Sequence, residues 1–188
     1  MNGMVLGIAM IVVALIAAAA YLFAKRQRTH QLRTHFGPEY ENALEGYGER
    51  GAAEKALLDR AKRVDRLEIR PLPALRRDEL ARRWQEVQAR FVDDPVRSIA
   101  AAHTLLADVM REQGYPTGRF DEEVELLSVH HPAAVQHYRA ANRLAAERER
   151  GAGGTEELRQ AMIHYRALFE DLLKQGAPRR ERAPEVRS

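Results

Sequence analysis

The sequence predicts an all-α protein, built as an N-terminal transmembrane helix followed by a small soluble bundle of five to six helices. Three observations predict it. An uncharged apolar run opens the chain, apolar residues beyond it recur at 3- and 4-residue spacing, and the β-branched alternation that builds strands is scarce. The 188 residues include no Cys, so thiol catalysis, disulfide staples and cysteine-zinc sites are excluded. With 45% hydrophobic and 30% charged residues, the composition is that of a globular chain and not of a disordered one. The organisation that follows is a transmembrane anchor over 1–24, a basic juxtamembrane segment over 25–37, a helical bundle domain over 38–176 and a disordered tail over 177–188.

The first element is the run GMVLGIAMIVVALIAAAAYLFA, from Gly3 to Ala24, which carries no charge. As a helix it spans roughly 33 Å, enough for a hydrocarbon core of about 30 Å. Tyr21 and Phe23 stand near its far end, where aromatic rings suit the interface, and Lys25, Arg26, Arg28 and Arg33 follow. A cleaved secretory signal is the competing assignment, with Ala18, Ala19 and Ala20 as the small residues of a cleavage site. Met1-Asn2-Gly3 lacks the basic residue that opens a signal peptide, and the apolar run exceeds the usual length of about 7–15 residues, so an anchor is expected. Basic residues follow the helix and none precede it, which places the N-terminus outside and the bulk of the chain in the cytoplasm.

The formal net charge of +3 invites a nucleic-acid partner until it is partitioned. Lys25, Arg26, Arg28 and Arg33 form a +4 collar, the tail contributes +2, and the body over 36–176 is left at −3. Phosphate binding needs a concentrated basic face, and acids and bases alternate through this body, which argues against nucleic acid. The collar marks the cytoplasmic boundary; Lys25, Arg26, Arg28 and Arg33 are the candidate contacts to anionic lipid headgroups, each worth about 1 kcal/mol near the surface.

Pro38, after Phe36-Gly37, is placed to open the next helix. Tyr40, Leu44 and Tyr47 share one face, Gly46, Gly48 and Gly51 interrupt it, and Leu57, Ala61, Val64 and Leu67 resume it. One helix over 38–67 or two separated near Gly48 fit equally. Ile69-Arg70-Pro71-Leu72-Pro73 reads as an extended connector, because residues before proline avoid helical angles. Leu80, Trp84, Val87 and Phe91 stripe a further helix. Asp94 and Pro95 suit the N-cap and first position of the next, whose stripe is Val96, Ile99, His103, Leu106 and Met110 and whose stop is Gly114. Tyr115 to Arg119 is a loop.

A short helix over about 121–128 carries Val124, Leu126 and Leu127, with Asp121, Glu122 and Glu123 suited to its positive end. Pro132 opens another, through Val135, Tyr138, Ala141 and Leu144 or Ala145. Gly151 to Gly154 reads as a flexible hinge. The last helix runs from about Thr155 to Gln175 with Leu158, Met162, Tyr165, Phe169 and Leu172 in one stripe and Gly176 as its cap. Such one-faced stripes need partners, hence a bundle.

Chemistry is harder to find. His130, His131 and His137 cluster in sequence, but no histidine pair has the i, i+4 spacing of HExxH, and His131-Pro132 reads as a helix start. His103 falls in an apolar stripe, where a neutral imidazole with one hydrogen-bond partner is expected. Ser128 lies in LLSVHHP and not in a GxSxG elbow. Glu122, Glu123 and Glu125 with Asp121 lack a calcium-loop pattern and read as a solvated face. The glycines at 151, 153 and 154 follow a helix, without GK[ST], and cradle no phosphate. No catalytic residue, cofactor or metal ligand is therefore assigned.

The strings FGPEY at 36–40, IRPL at 69–72, FVDDP at 91–95, GYP at 114–116 and LSVHHP at 127–132 lie behind the single apolar helix. Together they resemble a group of uncharacterised bacterial single-pass membrane-anchored proteins. The resemblance covers most of 1–145 and implies a bacterial source and this architecture, but no activity. The expected function is a protein-interaction or scaffold module on the cytoplasmic face of the bacterial inner membrane, with the bilayer and another protein as partners. The alternative is an enzyme whose site is assembled in three dimensions around His130, His131 or His137.

Overall fold

A computed structural model describes residues 2–150 and 154–174. Among them are eight helices and no strand: α1 (Asn2–Phe36), α2 (Pro38–Tyr47), α3 (Arg50–Asp65), α4 (Ala74–Arg90), α5 (Pro95–Gln113), α6 (Phe120–His130), α7 (Pro132–Glu149) and α8 (Thr155–Lys174). The class is all-α, one apolar helix followed by a helical body. Seven helices follow α1, because the 38–67 stretch is two: Gly48 ends α2 in the left-handed region (φ 68°), and its N–H is bonded to the Leu44 carbonyl. The Gly176 cap, the 177–188 tail and the hinge residues before Gly154 lie outside the described residues.

Local chemistry accounts for the boundaries. Pro38, Pro95 and Pro132 each stand in the first turn of their helices, where a missing N–H leaves no bond unmade. The Asp94 carboxylate accepts from Arg97 N–H at 3.0 Å, the capping bond its position predicts. Residues 68–73 form no helix, and Arg70 N–H donates to the Gln113 carbonyl at 2.8 Å. Gly114 ends α5 at φ 98°, and a Cβ there would stand 2.6 Å from the Glu68 carbonyl oxygen. Only glycine lets these two segments approach so closely.

α1 is one unbroken helix with two environments. Its stretch Met10–Phe36 is long and apolar enough to cross a membrane, and from Met10 to Phe23 its large apolar side chains are exposed. Its last turns enter the body instead. Leu32 and Phe36 are buried in the main core, and Thr29 Oγ1 donates to Glu54 Oε1 at 2.7 Å. The core thus reaches back into the basic juxtamembrane segment.

Around that join, α2 packs on α3, α3 on α6, and α2 on α7; α8 is sandwiched between α5 and α7, with α4 against α5. Trp84 of α4 stacks on Phe169 of α8 with ring centroids 4.5 Å apart. The α8 stripe of Leu158, Met162, Tyr165, Phe169 and Leu172 is fully inside. Two stripe assignments need correction. Val96 is exposed, with Val92, at the α4–α5 corner, and the buried side of α5 is Ile99, Ala102, Leu105, Leu106, Val109 and Met110. Tyr47 is 49% exposed, because α2 stops there and nothing closes over its final residue.

Candidate functional site

The α6–α7 junction gathers most of the unusual side chains. His131 is both the end of α6 and the N-cap of α7, with its N–H on the Leu127 carbonyl and its own carbonyl accepting from Val135 N–H. Its side chain does not cap the helix. The buried imidazole instead points Nδ1 at Asp171 Oδ2 of α8, 2.6 Å away. Nδ1–H donates to the carboxylate, which fixes the ring and leaves Nε2 for another partner.

Beside it, the Tyr115 hydroxyl lies 2.8 Å from His130 Nδ1. Burial pushes the Tyr115 phenol well above its ordinary value, helped by the Asp171 charge, so it stays protonated and donates. Burial also pushes the His130 imidazole down; the neighbouring His131 and His35 act the same way, against a smaller opposing pull from Asp65. A neutral His130 accepts from Tyr115 at Nδ1 and carries its proton on Nε2. Gln113 closes the cluster. Its Nε2 donates to the Leu172 carbonyl at 2.9 Å, while its buried Oε1 has no hydrogen-bond partner.

These side chains and the 69–71 connector enclose a cavity of about 10 Å³. That volume is the room of one water, which polar groups such as Gln113 Oε1 and the ring nitrogens could hold. As built, the cluster holds one proton between His131 and Asp171 and another between Tyr115 and His130, and a substrate larger than a water would need the connector to move.

His130 and His131 therefore come together, but His137 does not join them. It is exposed on α7 and pairs with His164 of α8, Nδ1 to Nδ1 at 3.0 Å. Burial, and then His137, hold His164 below the ordinary imidazole value. His103 is half-buried with Nε2 3.3 Å from the Tyr138 hydroxyl, as its stripe position suggests. Among the described residues no three His, Asp or Glu side chains are grouped to hold a metal ion. Ser128 donates to the Glu125 carbonyl at 2.7 Å, an ordinary helix contact.

The acidic run at 121–125 is not a solvated face throughout. Glu123 is buried and accepts from the Tyr138 hydroxyl and Gly118 N–H, both at 2.7 Å. Burial, reinforced by that bond, raises the Tyr138 phenol far above its usual value. Glu123 alone of the run faces inward, so the α7 tyrosine and the preceding loop replace water around this carboxylate, while Asp121 stays exposed. Glu39, at the start of α2, is wholly buried: it accepts from Asn42 at 2.9 Å, Gln136 at 2.7 Å and both Arg139 donors, with Arg60 3.7 Å away. The pairings of Asp171 and Glu39 escape sequence reasoning because their partners lie 40 and about 100 residues away.

A larger groove, of about 360 Å³, runs along α3 over Ala52 and Ala56, between Tyr47, Lys55, Arg63 and Glu125. Of the predicted lipid contacts, Lys25, Arg26 and Arg28 are exposed on α1. Arg33 turns to α2, bonding Glu41 at 2.9 Å with its guanidinium over the Tyr40 ring. No protein-family model, curated protein or solved structure matches this chain.

Proposed function

We propose that this protein is a single-pass anchored helical module of a bacterial plasma membrane, whose cytoplasmic body binds another protein and holds it at the bilayer. The observation that carries this reading is the continuity of α1, bare and apolar over one part of its length and built into the body core at Leu32 and Phe36. A body attached in this way cannot swing on a linker. Whatever it binds is held at a fixed height and orientation, which suits a scaffold. The collar of Lys25, Arg26 and Arg28 supports the cytoplasmic placement through the positive-inside rule.

The test has two parts. The full chain should stay with membranes through alkaline carbonate extraction, and a fluorescent fusion after Ser188 should be bright where an alkaline-phosphatase fusion is inactive. Photo-crosslinkers at exposed body positions should then capture one partner reproducibly in intact cells. Release by carbonate, an active phosphatase fusion, or crosslinks confined to abundant bystanders would overturn the corresponding part.

Acid–base catalysis at the α6–α7 junction is the second reading, favoured by the His131–Asp171 pair beside the Tyr115–His130 bond. It requires the 69–71 connector to open. A substrate that binds wild type and not His131→Ala, without a change in fold, would favour it.

A further inference from the structure

We infer that the α2–α3 turn, Tyr47 to Gly51, rests in the lipid headgroup layer and pins the body to the bilayer at a second point. The inference rests on the reading of α1 as a membrane-spanning helix and concerns where that helix places the rest of the chain. Two contacts set the direction of α3. Thr29 of α1 meets Glu54 at 2.7 Å, and Glu39, just past the end of α1, lies 3.7 Å from Arg60. Moving up α1 from Thr29 therefore corresponds to moving up α3 from Glu54, so the two helices run in the same sense. α2 is joined to α3 by Gly48 and Glu49 alone and returns toward the membrane.

The height of the turn follows from helix geometry. Thr29 is five residues past Ala24, the last residue of the uncharged run, or about 7.5 Å beyond it. Arg50 is four residues before Glu54, or about 6 Å back down α3. Arg50 thus stands near the level of Ala24 and Lys25, and a moderate tilt of α3 leaves it within a headgroup layer about 5–7 Å thick. Tyr47 and Gly48 lie at the same end.

The side chains fit such a layer. Tyr47 is a half-exposed aromatic, a residue type suited to the interface, and stands about one helical turn nearer the water than Tyr21 of α1. Gly46 and Gly48 have nothing within 4 Å of where a Cβ would stand, which leaves the turn open. The α3 groove begins at Tyr47 and is lined by Lys55, which lies one residue beyond Glu54 on the side away from the bilayer. Glu45 and Glu49 balance Arg50 and Lys55 in sequence, so the contact draws on the aromatic ring and on position, and anionic lipid is not required.

The absence of Cys makes the test direct. Single cysteines replace Tyr47, Glu49, Tyr21 and Arg66 in the full chain, carry a nitroxide label, and are compared in phosphatidylcholine vesicles with and without phosphatidylglycerol. Arg66 lies at the other end of α3, about 24 Å from Arg50. Relative collision rates with oxygen and a water-soluble nickel chelate should place Y21C in hydrocarbon, Y47C and E49C at headgroup depth, and R66C in water. The contrast between Y47C and R66C should be several-fold and unchanged by phosphatidylglycerol. Y21C in hydrocarbon with both Y47C and E49C in water would overturn this inference and leave the anchor intact. Y21C in water would overturn the anchor itself.

Discussion

Gly114→Ala tests how tightly the connector over the α6–α7 cluster is held. At φ 98° and ψ 9° an L-residue is strained by about 1–2 kcal/mol. The new Cβ would also stand 2.6 Å from the Glu68 carbonyl oxygen, where ordinary contact begins near 3.4 Å, so backbone must move by about 0.8 Å. That movement loosens the Arg70 N–H bond to the Gln113 carbonyl, a further loss of about 1 kcal/mol. Reduced freedom of the unfolded chain returns about 0.4–1 kcal/mol. The net expectation is a loss of about 2 kcal/mol, measured by urea unfolding of the full chain in micelles, followed by circular dichroism and Trp84 fluorescence. Gly48→Ala is the internal comparison. It has positive φ, 68°, but open space around it, so it should lose under about 1.5 kcal/mol. Equal losses at the two positions, or an unchanged Gly114→Ala, would refute the close-approach argument.

Trp84→Ala should lose about 3–5 kcal/mol because the ring is buried against Phe169, whereas Val92→Ala, at an 87% exposed side chain, should stay within about 0.5 kcal/mol in the same unfolding assay. Glu39→Ala leaves the buried Arg60 with only its 3.6 Å pairing to Glu125 and Asn42 and Gln136 without their acceptor, and should lose about 1–3 kcal/mol, while Glu41→Ala, which removes only the exposed pair with Arg33, should lose less than about 1 kcal/mol. His130 has a depressed value in the folded state, so its contribution is complete above the unfolded value of about 6.5 and is lost as pH falls from there through the folded value. Proton NMR of the His130 ring should show a midpoint below 6.5, and stability between neutral pH and that midpoint should fall less in His130→Asn; a midpoint at or above 6.5 would contradict the burial argument.

Sequence alone determined the elements whose causes are local. The uncharged run makes α1 apolar, prolines 38, 95 and 132 start helices, Gly114 stops one, and Asp94 caps α5, whereas the break at Gly48 is one of two equal readings that only the fold decides. Each depends on a residue's own backbone or on neighbours within a turn, which a linear reading sees. The all-helical class follows, because one-faced stripes such as that of α8 must be covered. The candidate site was legible only as residue types: His130 and His131 stood out, but so did His137, which faces elsewhere.

Tertiary structure decided the pairings. Asp171 meets His131 across 40 residues, and Glu39 meets Arg139 across 100, distances at which no periodicity carries information. It also decided that Glu123, one acid among four, is buried, that Tyr47 and Val96 are not, and that Leu32 and Phe36 turn the end of an apolar rod into part of a core. Burial is a property of what surrounds a side chain, and the surroundings of these residues come from other helices. The same packing fixes how the body sits on α1, so the position of the body along that apolar helix is set by the fold and not by the run of residues alone.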